Sequence, residues 1–321
     1  NSGQAGMVEK LLDMKCDPRG GGKGRSALHG AAQHRNGKAC VHLLVDAKAF
    51  VDTVGEEDET PLHVAVMENN RATTRALLRR KADPSAQNSA EMSPLHLAAA
   101  SGFLFLTKLL LAAKADPLAR DAHLDTPLHA ACRNNRVSIV RRLLEAGPEA
   151  LDMLTLRKQL PLHAACGGLG KGECLRPVLR AYRRRMAPYF RAFLLCARRV
   201  RLSCDVSLHV ISFVAAVPET NRPDAMHLTP LHLCVSAGQP AAVNLLVKAG
   251  ASPFSRTKYS FDGILRERHQ YFEDNELHDH TGAMAMEKRL RTTKTAIDQA
   301  RSTRRVQCTV PVLRLRDFVN A

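Results

Sequence analysis

The chain has 321 residues, a formal charge of +16 from 47 Lys and Arg against 31 Asp and Glu, no tryptophan and only 4% aromatic residues. With so few bulky rings and so much alanine and leucine, one deep globular core is excluded, and the sign of the charge points to an acidic partner such as nucleic acid, an anionic surface or an acidic protein. No apolar run is long enough to span a bilayer and no charged-then-apolar leader is present, so the sequence reads as intracellular, cytoplasmic or nuclear, with a start inside a repeat at Asn1 that suggests a fragment.

One tetrapeptide sets the register. Thr126-Pro127-Leu128-His129 has near copies at Ser26-Ala27-Leu28-His29, Thr60-Pro61-Leu62-His63, Ser93-Pro94-Leu95-His96, Leu160-Pro161-Leu162-His163 and Thr229-Pro230-Leu231-His232. Successive histidines lie 34, 33, 33, 34 and 69 residues apart, the last being two periods, and a fixed period of this size marks a solenoid of stacked units. Within the motif, Ser or Thr caps a helix, Pro fits the first helical position, and Leu opens the apolar face. The histidine, three residues past the cap, is placed to bond back toward the loop behind it.

In chain order, Gly6 to Leu12 followed by Cys16-Asp17-Pro18 is expected to be the second half of a unit whose first helix is missing. A complete unit follows from Arg25, with a break near Asn36-Gly37 and a second helix burying Val41, Leu43 and Leu44 on one stripe. The next three units carry Leu77-Leu78, Leu109-Leu110 and Leu143-Leu144 in their second helices, after breaks at Asn69-Asn70, Ser101-Gly102 and Asn134-Asn135. Glycine and asparagine suit these breaks because they tolerate the left-handed backbone that reverses a chain. Ala82-Asp83-Pro84, Ala115-Asp116-Pro117 and Ala251-Ser252-Pro253 then close the second helices.

These residues resemble the ankyrin repeat family, whose hallmark is T-P-L-H-x-A-A, a Gly or Asn turn, Val-x-x-Leu-Leu and Gly/Ala-Ala-Asp-Pro. The resemblance covers about residues 4–180 and 224–257 and implies an all-α ankyrin repeat solenoid: antiparallel helix pairs stacked into a curved ladder, with projecting β-hairpin-like fingers. Two inserts are expected to interrupt it. The expected organisation is a truncated repeat over 1–18, repeats over 19–180, a basic and apolar helical insert over 181–223 that replaces a repeat, a repeat over 224–259, a polar insert over 260–293, and a degenerate closing repeat over 294–321.

The first insert concentrates the charge: Leu175 to Cys204 holds nine arginines and no acidic residue. Arg183, Arg184 and Arg185 form a candidate basic patch for an acidic partner or an adaptor. The nearby stripe of Tyr189, Phe193, Cys196 and Val200 reads as a packing face, so nucleic-acid binding is disfavoured. Leu202 to Val214 faintly resembles an F-box-like segment, and both it and Val310 to Phe318 faintly resemble a SOCS box. The alternative function is therefore substrate recognition for a ubiquitin ligase.

Chemistry finds little support elsewhere. Histidines one unit apart form a row and cannot converge on one metal ion. His278-Asp279-His280 has ligand-type residues with uninformative spacing. Gly20 to Gly24 and Gly167 to Gly172 lack a phosphate-binding pattern. The nine cysteines include no C-x-x-C pair and are expected to be reduced, with Cys132, Cys166 and Cys234 packed.

No catalysis, metal or cofactor is therefore expected, and the chain is read as a monomeric scaffold for partner proteins. By resemblance, the partner contacts lie just before each motif and just after its Ala-Ala: Arg25, Gln33 and His34; Glu56, Glu57, Glu59, Met67 and Glu68; Met92, Ala100 and Ser101; Asp125, Arg133 and Asn134. This set implies a mixed-charge groove that takes a basic segment near Glu56 to Glu68 and acidic contacts nearer Arg133.

Overall fold

The computed structural model describes residues 3–14, 16–18, 25–34, 37–167, 172–185, 217–237 and 239–252. Among these the regular elements are helices, with no strand, in two compact units that divide after Leu156.

The first unit contains α1 (Gly3–Asp13), α2 (Ala27–Gln33), α3 (Lys38–Asp46), α4 (Pro61–Met67), α5 (Arg71–Arg79), α6 (Pro94–Ser101), α7 (Leu104–Ala112), α8 (Pro127–Arg133) and α9 (Val137–Ala146). Each motif opens the first helix of a pair: Thr60, Ser93 and Thr126 are extended caps, and proline follows at the first helical position. First helices of seven or eight residues are too short to persist alone. Packing holds them, with Leu62, Leu95 and Leu128 each 0% exposed. Burying one such leucine is worth about 1.5–3 kcal/mol. In the second helices one leucine of each predicted pair is the deeper one. Leu44, Leu77, Leu110 and Leu143 are all buried and recur every 33 residues. Helix α1 packs against α3 as α3 packs against α5 and α5 against α7, so it is a second helix, as its sequence suggests.

The predicted breaks have the expected backbone. Asn69, Gly102 and Asn135 take φ of 50°, 91° and 52°, the left-handed region that ends one helix and starts the next. Between repeats the chain folds into tight turns. The amides of Gly55, Asn88 and Asp121 donate to the carbonyls of Glu59, Met92 and Asp125. Each turn also bonds the next: Ser89 N–H to Glu57 O at 2.8 Å, Ala122 N–H to Ala90 O at 3.1 Å and Leu156 N–H to His123 O at 3.0 Å.

The second unit contains α10 (Pro161–Gly167), α11 (175–185), α12 (Pro230–Ser236) and α13 (Pro240–Lys248). Two expectations are corrected here. The first concerns the insert boundary at 181. Residues 181–185 continue α11, and Tyr182 is 1% exposed, so they belong to the helix pair.

The second correction concerns the 69-residue interval from His163 to His232, which holds one stacking step and not two. Ala225 N–H donates to Arg157 O at 2.9 Å, the same position-to-position bond as Ala122 to Ala90. His163 Nε2 donates to Arg222 O at 2.9 Å, and α10 packs on α12. The pair at Thr229 therefore sits directly on the pair at Leu160, and no repeat has been replaced. The chain re-enters the stack through a 3-10 turn at Pro218–Asn221 that matches Pro148–Asp152 after α9. Gly172, at φ 68°, marks the close approach of the α10–α11 turn to α13, since a Cβ there would lie 2.7 Å from that of Ala242.

The polar stretch 260–293 with His278-Asp279-His280, the closing segment 294–321, and the two adaptor-like segments at 202–214 and 310–318 lie outside the described residues.

Candidate partner-binding groove

The motif histidines hold the turns that border the groove. His96 Nδ1 accepts from Ser93 N–H at 3.1 Å and from the Ser93 hydroxyl at 2.9 Å, while Nε2 donates to Asp125 O at 3.1 Å. His63 does the same between Thr60 and Met92 O, and His29 between Ser26 and Glu59 O. A backbone N–H can only donate and a carbonyl can only accept, so each ring is the neutral Nε2–H tautomer. Burial, the largest influence, lowers the pKa of His29, His63, His96 and His163 below the usual histidine value and keeps them neutral. His29, His63 and His96 each complete a capping box in which histidine takes the place of Glu or Gln and also clamps the next repeat. Neutral, buried and separated by a full repeat, these rings are used up in structure. Among the described residues no group of His, Cys, Asp or Glu could hold a metal ion.

The predicted contact residues fall into an ordered strip beside these clamps. Gln33, Met67, Ala100 and Arg133 occupy one position of four successive first helices, and His34, Glu68, Ser101 and Asn134 the next, all of them exposed or half-buried. On the turn side stand Arg25, Glu56 and Glu57, all exposed, then Glu59 and Met92, half-buried. Arg25 Nη1 donates to Gln33 Oε1 at 3.4 Å. Glu59 is held above the usual carboxylate range, first by burial and then by the neighbouring Glu57 charge, with Arg25 pulling the other way. The middle of the strip is apolar or small, formed by Met67, Met92 and Ala100.

Asp125 departs from its predicted role as a direct contact. It is 3% exposed, and its carboxylate accepts from Arg133 at 2.5 Å. Arg133, with half of its side chain exposed, covers Asp125, and the pair presents one local dipole in place of two independent charges.

Sequence reasoning missed the residues that shape the turns. Asn88 Oδ1 accepts from Ala90 and Met92 N–H, Asp121 Oδ1 from His123 and Asp125 N–H, and Asp224 Oδ1 from Met226 and Leu228 N–H. The available signal was an Asn or Asp eight residues before His96, His129 and His232, the residue type that folds such turns through its own side chain. Arg183, Arg184 and Arg185 are exposed on the last described turn of α11. Cys40, Cys132, Cys166, Cys174 and Cys234 are buried, and Cys16 is exposed. Burial pushes Cys174 up to about 12, which keeps it a thiol. Among the described residues no helix is long and apolar enough to cross a membrane.

Compared with protein-family models, the chain matches ankyrin repeats (3 copies) at residues 1–88, 75–153 and 95–183, and a single ankyrin repeat at residues 226–258. The interval between the last two matches coincides with the segment over which the stack advances by a single step. A search among curated proteins finds no match. The matches span more than half of the chain, and the paired helices carry them in register from one histidine clamp to the next. The chain belongs to the ankyrin repeat family, whose repeats are protein–protein interaction modules.

Proposed function

We propose that this protein is a non-enzymatic scaffold that binds an extended segment of a partner protein along the strip from Arg25 to Asn134. The observation that carries the reading is the division of labour at each repeat. The motif histidine is spent on clamping, while the residues four and five positions beyond it are left facing outward. Such a surface is preformed, so little ordering entropy is lost on binding.

Its charge pattern specifies the ligand. Glu56, Glu57, Glu59 and Glu68 favour Lys or Arg, and a partner cation would offset the Glu57 charge that, after burial, holds the Glu59 carboxyl high. Met67, Met92 and Ala100 favour an apolar residue next to it. Arg133 is already compensated by Asp125, so it contributes hydrogen bonds more than net charge. The partner segment is thus basic and then apolar, and the earlier expectation of acidic contacts at Arg133 is weakened. The ligase-receptor alternative rests on 202–214 and 310–318, outside the described residues, and no observation favours it.

The test is peptide selection on the purified chain, followed by charge reversal. Selected peptides are expected to pair Lys or Arg with a nearby apolar residue. They should lose about tenfold or more in affinity for Glu57→Lys with Glu68→Lys, equivalent to about 1.4 kcal/mol. Equal affinity of the variant for every selected peptide would refute the acidic-site reading.

A further inference from the structure

We propose that the second-helix face formed by α5 and α7 is a separate docking surface, and that its occupant is an acidic amphipathic helix of a partner protein.

The sequence makes this face one-signed. Asn69 to Ala82 holds five cations and no carboxylate, and Met92 to Ala115 holds two lysines and no carboxylate. The helical period then sorts them. Arg71, Arg75 and Arg79 stand on one exposed edge of α5, and Arg80 turns to Asp46 at 2.7 Å and to His42. Residues four apart on a helix are separated by about 6 Å along its axis, so the three arginines match carboxylates at i, i+4 and i+8 of a helix lying alongside. The repeat extends the pattern sideways. Arg75, Lys108 and Arg141 are each the twelfth residue after a motif histidine (63, 96 and 129) and all three are exposed. The ion pairs Arg80–Asp46, Arg133–Asp125 and Arg142–Glu145 use none of Arg71, Arg75, Arg79, Lys108 or Arg141.

The second observation is Phe105. It is a large apolar side chain left 36% exposed on α7, and the guanidinium groups of Arg71 and Arg75 lie 5.1 and 5.4 Å from its ring centre. These contacts cross from α5 to α7 and hold both arginines beside the apolar Phe105 ring. An apolar strip edged by oriented cations complements a helix with an apolar stripe edged by Glu or Asp. A single-stranded nucleic acid would instead need ring faces free for base stacking, and the Phe105 ring is already engaged by cations. The surface is independent of the strip on the first helices, because the two use different helices of each pair.

The experiment uses the full chain and a fluorescein-labelled helical peptide about 18 residues long, with glutamates at i, i+4 and i+8 beside a leucine stripe. At about 0.15 M salt, where charges beyond roughly 8 Å are screened, Arg71→Glu with Arg75→Glu is expected to weaken binding about tenfold or more, and Phe105→Ser about fivefold. Glu57→Lys alone, in the turn before α4, is expected to leave it unchanged. Arg71→Gln with Arg75→Gln serves if the reversed pair loses its helical circular dichroism. Undiminished binding by the arginine variants would overturn the proposal. So would equal binding of a scrambled peptide or of polyglutamate, which would show charge attraction without a docking face. An oligothymidylate that binds more tightly, and is lost in the same variants, would overturn it in favour of phosphate recognition.

Discussion

Replacing His96 by alanine tests the clamp on which the groove depends. The ring fills a site at 2% exposure between Ser93, 1% exposed, and Asp125, 3% exposed. Its loss strands the buried Ser93 N–H that donates to Nδ1 and takes from the Asp125 carbonyl one of its two donors, the Asp121 N–H remaining. Each buried group left unpaired costs about 1–3 kcal/mol, and the vacated ring adds a cavity cost. About 1–2 kcal/mol for the stranded N–H, about 1 kcal/mol for the lost second bond to Asp125 and about 1–2 kcal/mol for the cavity give a loss of about 3–5 kcal/mol. Against a domain stability of about 5–15 kcal/mol this is a large fraction. At a urea slope of about 2 kcal/mol per molar it lowers the midpoint by about 2 M. His96→Gln, which can restore part of the bonding, should fall between the two. The loss should also reach function, because the Asp125 backbone held by His96 carries the carboxylate that orients Arg133. Urea unfolding followed by circular dichroism measures the first effect. A loss under about 1 kcal/mol would show that the histidine does not clamp the neighbouring repeat.

Two further outcomes follow from the same geometry. Because burial lowers the pKa of His63, His96 and His163, the unfolded chain binds protons near the ordinary value of 6.5 while the folded one does not. Stability should therefore be level above about pH 7 and fall as the pH drops from 7 to 5.5, by at most about 1.4 kcal/mol per pH unit for each ring. Glu59, whose carboxyl is held high, acts in the opposite sense at lower pH. Urea midpoints measured across that interval would contradict the neutral-ring assignment if they stayed constant or rose on acidification. Separately, joining Arg185 directly to Val217 removes residues 186–216 and copies the Ala146-Gly147-Pro148 connection that follows α9. The shortened chain should keep the folding transition of the parent, since the Arg185–Val217 junction then has the length of the connection after α9. Loss of the folding transition would mean that the pair at Thr229 does not sit on the pair at Leu160.

Much of the scaffold was legible because each repeated residue has one local physical task. Caps, Pro at the first helical position, Asn69, Gly102 and Asn135 at left-handed turns, and leucines 33 residues apart are local requirements that any sequence with this fold must meet. The stacking step from His163 to His232 was not legible, because 69 residues is nearly twice 34. Arithmetic alone cannot distinguish two periods from one period plus an insert of similar length. The clue lay in Pro218-Glu219, which repeats Pro148-Glu149 at the entry to a turn. Asp125 was misplaced as a contact for a related reason. Its register puts it at the turn edge, but its burial depends on Arg133, which folds back over it from the far end of α8. The outer arginines lie on the solvent side of an ordinary amphipathic pattern, and they stand out only when Phe105 from the next repeat is seen between them.

The most direct test of groove binding is a hydrogen-exchange footprint of a selected basic peptide on the full chain. The account predicts added protection at the turns around 55–59 and 88–92 and at the ends of the first helices near 67–69 and 100–102. Protection confined to the second helices α5 and α7, or to residues 186–216, would contradict it.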